Sequence, residues 1–278
     1  MSGAEAGAAS DTRPFRHYPL KHRAIAWVSQ NLFDNLVYVS RHGLIKGMKR
    51  RGGLGWLPAF MEPAATPEHA FWTNQNFTNC VVYDIGAFHG LLTLLFARTA
   101  RQVVSYEPNA RNRARLLENI RLNNLRNVTI RPFALGAAAS VATMVASPLT
   151  PGGATLQHDA AEILRSSNAP LVSEEVSVTT LDEDIRDMSL PAPDFIKIDV
   201  EGFELSVLQG ARETLSRLKP ELFIEIHGQT MELKRKNVAA VVDCLNDFGY
   251  RDIQHLESAA AIDANNSSLA AQGHLVCH

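Results

Sequence analysis

The stretch Val81-Val82-Tyr83-Asp84-Ile85-Gly86-Ala87-Phe88-His89-Gly90 limits the possible folds more than any other part of the chain. Its first half has the length and apolar character of a buried strand. Gly86 and Gly90 then interrupt it. Leu91-Leu92-Thr93-Leu94-Leu95-Phe96-Ala97-Arg98 follows with apolar residues at helical spacing. Strand, glycine turn and helix in that order open a doubly wound α/β domain, where ligands bind beyond the carboxyl ends of the strands.

Glycines are used where backbone must take positive φ or approach a ligand closely. A dinucleotide fingerprint would read G-x-G-x-x-G. Here the pattern is Asp84-x-Gly86-x-x-x-Gly90, without the middle glycine that admits a pyrophosphate and with an acid before the first glycine. Both features disfavour phosphates and favour a ligand with a cationic end. The next strand, Gln102-Val103-Val104-Ser105-Tyr106, runs into Glu107. A carboxylate at that strand end accepts hydrogen bonds from ribose hydroxyls. A nucleoside with positive charge and no phosphate describes S-adenosylmethionine. Taken alone, the turn is equally compatible with a structural turn that binds nothing, and Glu107 decides for the ligand. The missing glycine speaks against an NAD-type oxidoreductase.

The chain has 278 residues, enough for one large α/β domain with an extension or two small domains. With 46% hydrophobic and 20% charged residues it can bury a sizeable core. A net charge of -2 argues against general nucleic-acid affinity, so no nucleic-acid partner is expected. Cys80, Cys244 and Cys277 lack metal spacing and read as reduced thiols of a cytoplasmic protein. No apolar run has transmembrane length, and Met1 to Asp11 lacks the apolar core of a signal peptide.

Residues 1–12 read as disordered. Residues 13–57 set Arg13, Arg16, Lys21, Arg23, Arg41, Lys46, Lys49, Arg50 and Arg51 against Asp34. Ile25, Trp27, Val28, Leu32, Phe33, Leu36, Val37 and Val39 suit an amphipathic helix, with a second short helix near His42–Arg50 ended by Gly52-Gly53. Such a basic arm would dock on an anionic partner, a membrane surface or an acidic substrate. A helical cap on the following domain is the plainer reading and ranks first. Pro58, Pro63 and Pro67 mark a linker, so the expected division is a tail and basic helical extension over 1–67 and a ligand-binding domain over 68–278.

Beyond Glu107, Pro108-Asn109 caps a helix from Ala110 to Asn123, and Val128–Pro132 is a strand. Phe133-Ala134-Leu135-Gly136 follows at the sheet edge. Val141–Ala146 and Glu175–Thr179 read as short strands around a long loop suited to a lid or binding loop. Leu181–Arg186 reads as a helix. Asp194-Phe195-Ile196-Lys197-Ile198-Asp199-Val200-Glu201-Gly202 is a strand with two acids and a glycine at its carboxyl end. Helix Phe203–Leu218, strand Pro220–His227, helix Met231–Phe248 and strands Tyr250–Leu256 and Gly273–Cys277 complete the chain. The alternation predicts a mostly parallel sheet with helices on both faces. Gly86, Glu107, Asp199, Glu201 and His227 then share the carboxyl ends of the strands.

In chain order, Asp84 to Gly90, Tyr106-Glu107-Pro108-Asn109, Asn119 to Asn124, Asn127-Val128, Ala134-Leu135-Gly136, Thr180-Leu181-Asp182, Ile196 to Gly202 with Glu204, and Glu225-Ile226-His227 resemble the FkbM family of S-adenosylmethionine-dependent methyltransferases. The resemblance spans roughly residues 68–228, and the block from Asp199 to Glu204 is its most specific part. It implies a class I, Rossmann-like methyltransferase fold: a seven-stranded, mostly parallel sheet with an antiparallel last strand. It also implies methyl transfer, most often to a hydroxyl of a sugar, polyketide or other small metabolite or glycan. The family usually carries Asn at the position of Phe88 and an aliphatic residue at that of His89.

On this reading the cofactor is held by Asp84, Gly86, Ala87, Phe88, Gly90, Glu107, Pro108, Asn109, Ala134, Leu135 and Asp199. Gly86 and Gly90 admit it, Glu107 holds the ribose, and Asp84 supports the turn or the cofactor's ammonium. Ala134 and Leu135 form the adenine wall. Phe88 against the sulfonium would gain roughly 0.5–2 kcal/mol. His227 ranks first as general base because an unperturbed imidazole has a pKa of about 6.5; Asp199 ranks second, as base or orienting group, and Glu201 third. Asp199 with Glu201 or Glu225 offers hard oxygen donors to a divalent cation, but the sequence gives no clear ligand set and no metal is expected. A non-catalytic cofactor-binding or scaffold protein on the same fold is the rival reading.

Overall fold

The computed structural model describes residues 33–52, 61–146, 156, 172–228 and 230–278. The predicted first strand is β3 (Val81–Ile85), at the middle of the main sheet. β4 (Gln102–Tyr106) and β5 (Val128–Arg131) add in parallel on one side, and β9 (Phe195–Ile198) and β10 (Glu221–Glu225) on the other. With β11 (Ile253–His255), β12 (Ala260–Ala261) and β13 (His274–Cys277) the order is β12-β11-β13-β10-β9-β3-β4-β5. Chain direction away from β3 therefore reverses beside β3, and the crevice beyond its carboxyl end is the topological switch point where such sheets bind ligands.

The expected antiparallel last strand is β13, inserted between β10 and β11 and antiparallel to both. Seven strands were expected, and among the described residues the sheet has eight. The addition is the two-residue edge β12, which pairs with β11 after Ala259 turns the chain at φ 53.

Side-chain alternation along the strands divides the core. Val82, Val103, Phe195, Phe223 and Val276 face Trp72 of α1 (Pro67–Asn74) and Phe96 of α2 (Leu91–Ala97). Tyr83, Ile85, Val104, Ile196, Ile198, Leu222 and Ile224 face the other helices. These are α5 (Glu204–Gln209), α6 (Arg212–Leu218) and α7 (Met231–Asp247), through Val207, Leu215 and Val241. Strands covered on both faces read as continuous apolar runs, which is why β3 and β9 stand out in the sequence. A polar residue inside such a strand must find a partner there.

Two helix expectations fail. The segment from Phe203 to Leu218 divides into α5 and α6 at Gly210, whose absent side chain leaves room for the Gly136 carbonyl; a Cβ there would lie 1.9 Å from that oxygen. The second correction concerns the basic stretch. Val37–Val39 and Lys49–Arg51 form β1 and β2, an antiparallel hairpin, in place of helix. Val-Tyr-Val favours extended backbone, and Gly43 and Gly47, at φ 76 and 86, bend the chain between the strands.

This hairpin lies on α3 (Ala110–Leu122), the helix that Asn109 caps by accepting from the Asn112 N–H at 2.9 Å. The Lys49 and Arg51 N–H groups donate to Asn123 Oδ1 and Asn119 Oδ1, each at 2.8 Å. Arg51 pairs with Glu118, and Arg115 with Asp34 at 2.9 Å. Much of the described basic charge is thus turned onto the domain itself. The tail, the first part of the expected arm and Pro58 lie outside the described residues, as does the long loop except Leu156.

A side sheet of order β6-β8-β7 joins β6 (Ala134–Leu135), β7 (Ser140–Ala146) and β8 (Val172–Thr179), and the helix α4 (Leu181–Met188) follows it. Among the described residues no helix is long and apolar enough to cross a membrane.

Candidate active site

The glycine turn is built on backbone. The N–H groups of Gly86 and Ala87 both donate to the Tyr106 carbonyl, at 3.1 and 3.0 Å, drawing the turn over the end of β4. Gly86 and Gly90 sit at φ 79 and 84. A Cβ at Gly86 would lie 1.8 Å from the Asp199 carbonyl oxygen, and one at Gly90 2.4 Å from Leu116 Cδ1. The space the glycines leave is therefore taken by β9 and α3. They shape the turn by packing.

Phe88 has positive φ as well, at 50. For a residue with a side chain this costs about 1–2 kcal/mol. Its N–H donates to Glu107 Oε2 at 2.8 Å, and its ring stacks on His89 at 3.7 Å. Glu107 Oε1 accepts from the Asn109 N–H at 2.9 Å. Glu107 is 5% exposed, and burial pushes its carboxyl up to about 7, although the Asn109, Phe88 and Asn112 hydrogen bonds and the Lys197 charge pull it down. Burial lowers His89 to about 4, helped by Arg50 and Arg115, so its ring is neutral near pH 7.

Other expected cofactor residues are occupied within the protein. Asp84 is fully buried, with Oδ2 accepting from Thr93 Oγ1 at 2.5 Å and Oδ1 3.4 Å from Lys197 Nζ. Ala87 is buried against Leu116 and Ile120, and Ala134 against Met144, Val176 and Val178, while Leu135 belongs to the main core. The side chains of Ala134 and Leu135 thus turn into the protein. Asn109, next to Pro108, caps α3 and donates from Nδ2 to Glu174 Oε2 at 2.7 Å.

A second cluster lies at the ends of β9 and β10. Lys197, 3% exposed, donates to the Gly86 carbonyl at 2.8 Å and pairs with Asp199 Oδ2 at 3.2 Å as well as with Asp84. It ties the glycine turn to the second cluster. Burial alone would lower its pKa, but Asp199 and Asp84 raise it overall.

His227 follows β10. Its Nδ1 lies 2.8 Å from Oε1 of Glu204, which has no exposure at all. Glu204 also accepts from the Gly202 N–H at 2.9 Å and from Asn237 Nδ2 at 2.7 Å. The other ring nitrogen, Nε2, lies 3.4 Å from Glu225 Oε1 and 3.7 Å from Asp199 Oδ1. Burial would lower the imidazole pKa, but the Glu204 and Glu225 carboxylates beside the ring raise it well above its ordinary value. The premise of an unperturbed ring does not hold. The same contacts, against burial, bring Glu225 down to about 2. Glu201 stands in the turn before α5 at φ 53.

Lys197, Glu204 and Asn237 were not assigned to the site from sequence, and Glu225 was weighed only as a metal donor. A readable signal existed for Lys197, because a lysine inside a strand covered on both faces must be paired. Glu204 carried only its place in the family-like block, with no role attached, and Asn237 gave none, since it reads as an ordinary polar helix residue.

A family model, the methyltransferase FkbM domain, matches residues 84–251. No curated protein matches the chain. Among solved structures, the FkbM methyltransferase of Methylobacillus flagellatus KT is 21% identical at a TM-score of 0.47, over 76% of this chain and 50% of that one. This chain thus spans half the length of that protein. The precorrin-6y C5,15-methyltransferase of Geobacter metallireducens GS-15 is 14% identical at a TM-score of 0.41, over 68% of this chain and 72% of that one. The ribosomal protein L11 methylase of Lactobacillus delbrueckii subsp. bulgaricus is 10% identical at a TM-score of 0.41, over 76% and 74%.

Proposed function

The chain belongs to the FkbM methyltransferase family, and from that premise we propose that it moves the methyl group of S-adenosylmethionine to a hydroxyl of a sugar, polyketide or other small metabolite or glycan. The observation that carries this reading is the meeting of two clusters at one sheet end, joined by Lys197, which reaches Gly86 at 2.8 Å and Asp199 at 3.2 Å. Residues 68–278 are the catalytic unit, and the hairpin on α3 is its cover.

In this reading the cofactor lies over the glycine turn. Glu107 accepts from the ribose hydroxyls with the lone pairs that Phe88 and Asn109 leave. The methionine end points toward Asp199, and the Phe88 ring is near enough to the turn to meet the sulfonium. The acceptor hydroxyl lies among Asp199, Glu225 and His227.

The sulfonium is already activated, so the protein aligns oxygen, methyl and sulfur, excludes water and removes a proton. The acceptor oxygen forms a bond to the methyl carbon. The carbon–sulfur bond breaks with its electron pair going to sulfur, leaving a neutral thioether. Both nitrogens of His227 face carboxylates, so the ring at rest holds its protons. Removal of the hydroxyl proton falls first to Asp199. His227 positions the acceptor, and Glu201 ranks third for either role.

The test is transfer of label from methyl-labelled S-adenosylmethionine to a panel of hydroxylated acceptors, with Asp199→Asn as the control. Label that stays on the acceptor oxygen and falls at least a hundredfold in the variant supports the proposal. Cofactor binding with no transfer to any acceptor favours a non-catalytic binding protein instead.

A further inference from the structure

Three ligand-type atoms converge at the ends of β9 and β10: Asp199 Oδ1, Glu225 Oε1 and His227 Nε2. One atom from each of these residues lies within 4.8 Å of the others. The nitrogen is 3.4 Å from the glutamate oxygen and 3.7 Å from the aspartate oxygen. Charge-assisted hydrogen bonds from nitrogen to carboxylate are about 2.7–2.9 Å long, so the ring proton closes neither gap. Bonds of about 2.0–2.2 Å to a shared cation would set neighbouring tetrahedral ligands about 3.3–3.6 Å apart. The 3.4 Å separation lies within that edge and the 3.7 Å one is about 0.1 Å beyond it.

The other atoms of Asp199 and His227 are held from outside, and that of Glu225 faces His274. Asp199 Oδ2 is 3.2 Å from Lys197 Nζ. His227 Nδ1 is 2.8 Å from buried Glu204, which Asn237 and the Gly202 N–H hold in turn. Glu225 Oε2 is 3.9 Å from His274 Nε2, whose Nδ1 is 2.6 Å from Glu257 Oε1. A carboxylate behind the imidazole fixes the ring orientation and turns Nε2 inward, where an ion would displace its proton, as in carboxylate–histidine–metal arrangements. Formal charge points the same way: Asp84, Asp199, Glu204 and Glu225 stand against one lysine and one histidine. That leaves two negative charges with the ring protonated and three with it neutral.

We propose that Asp199, Glu225 and His227 bind one divalent first-row cation, with Glu204 as the residue that positions His227. The donor set of one imidazole and two carboxylates, with further positions open to water or a hydroxyl, suits Mn2+ or Zn2+. The proposal rests on the methyltransferase reading only for the purpose of the ion, which is to polarise the acceptor's hydroxyl and hold it in line.

Binding is measured directly on the full chain after chelation and dialysis. Mn2+ and Zn2+ are titrated by calorimetry, bound Mn2+ is followed by electron paramagnetic resonance, and S-adenosylhomocysteine is titrated in parallel. The expected result is one ion per chain. Glu225→Gln and His227→Asn each weaken binding at least tenfold, and Glu204→Gln weakens it about 10–100-fold. Glu213→Gln, an exposed α6 carboxylate outside the cluster, leaves it unchanged. All four variants bind S-adenosylhomocysteine as the wild type does, which certifies their fold. Wild type that binds the nucleoside but neither ion overturns the metal proposal and leaves the methyltransferase reading standing. Unchanged ion affinity in both Glu225→Gln and His227→Asn also overturns it. Loss of nucleoside binding by the wild type counts against the methyltransferase reading instead.

Discussion

The two halves of the site are made differently. At the glycine turn, backbone groups do most of the work: Gly86, Ala87 and Phe88 spend their N–H groups on Tyr106 and Glu107, and packing against Asp199 and Leu116 fixes both glycines. At the ends of β9 and β10, side chains do the work: Asp199, Glu225 and His227 meet across two strands, and Asp199 and His227 depend on Lys197 and Glu204 for their orientation. A backbone-built site tolerates few changes of chain conformation. A side-chain-built site depends on its outer partners and can change its chemistry without changing the fold. The first suits a cofactor common to a family, and the second suits an acceptor that varies within it.

Lys197 joins the halves, and breaking it should have the largest effect. Lys197→Met leaves buried Asp84 without its ammonium and frees Asp199, and loss of one partner of a buried pair costs about 3–5 kcal/mol. Urea unfolding should report that loss, and nucleoside affinity should fall with it. If stability falls by less than 1 kcal/mol, on the order expected of a surface pair, the lysine does not couple the halves.

Gly86→Ala should follow, because its Cβ would meet backbone at 1.8 Å and the residue would have to keep positive φ. A cost on the order of 3 kcal/mol is expected, with loss of cofactor binding. Asp199→Asn should separate the halves: turnover falls by about 10²-fold or more while nucleoside affinity stays within a few-fold. An equal loss in both would make the two clusters one.

The smallest predicted effect is a pH dependence. Glu107 must be ionised to accept two ribose hydroxyls, and burial raises its pKa to about 7. Nucleoside affinity should therefore weaken as pH falls through about 7, approaching tenfold per unit on the acid side, and Glu107→Gln should flatten the curve. The sign for folding is opposite. A raised carboxyl pKa favours the folded chain most at acid pH, and that contribution fades as pH rises through about 7. A flat affinity profile in the wild type would mean that Glu107 is not the ribose partner.

How much of this the sequence revealed follows from the same contrast. β3, its glycines and Glu107 were legible because strand and turn physics writes itself into consecutive residues. The parallel order and antiparallel β13 followed from alternation and resemblance. The hairpin at Val37–Arg51 was misread as helix, because apolar spacing outweighed the β-branched residues and paired glycines. The break at Gly210 was missed because the Gly136 carbonyl packed against it comes from far away in sequence. Glu204 looked like any acid in a first helical turn, yet it lies fully buried behind His227. Pairings between distant segments leave no local pattern, and those pairings make the acceptor half.

The most direct test of the account is calorimetric titration of S-adenosylhomocysteine into wild type, Glu107→Ala and Glu225→Gln. Wild type and Glu225→Gln should bind within a few-fold of each other, and Glu107→Ala should bind at least tenfold more weakly, as expected when about 1.4 kcal/mol of contact is lost. Unchanged affinity in Glu107→Ala together with loss in Glu225→Gln would put the nucleoside at the wrong half and contradict the division of the site.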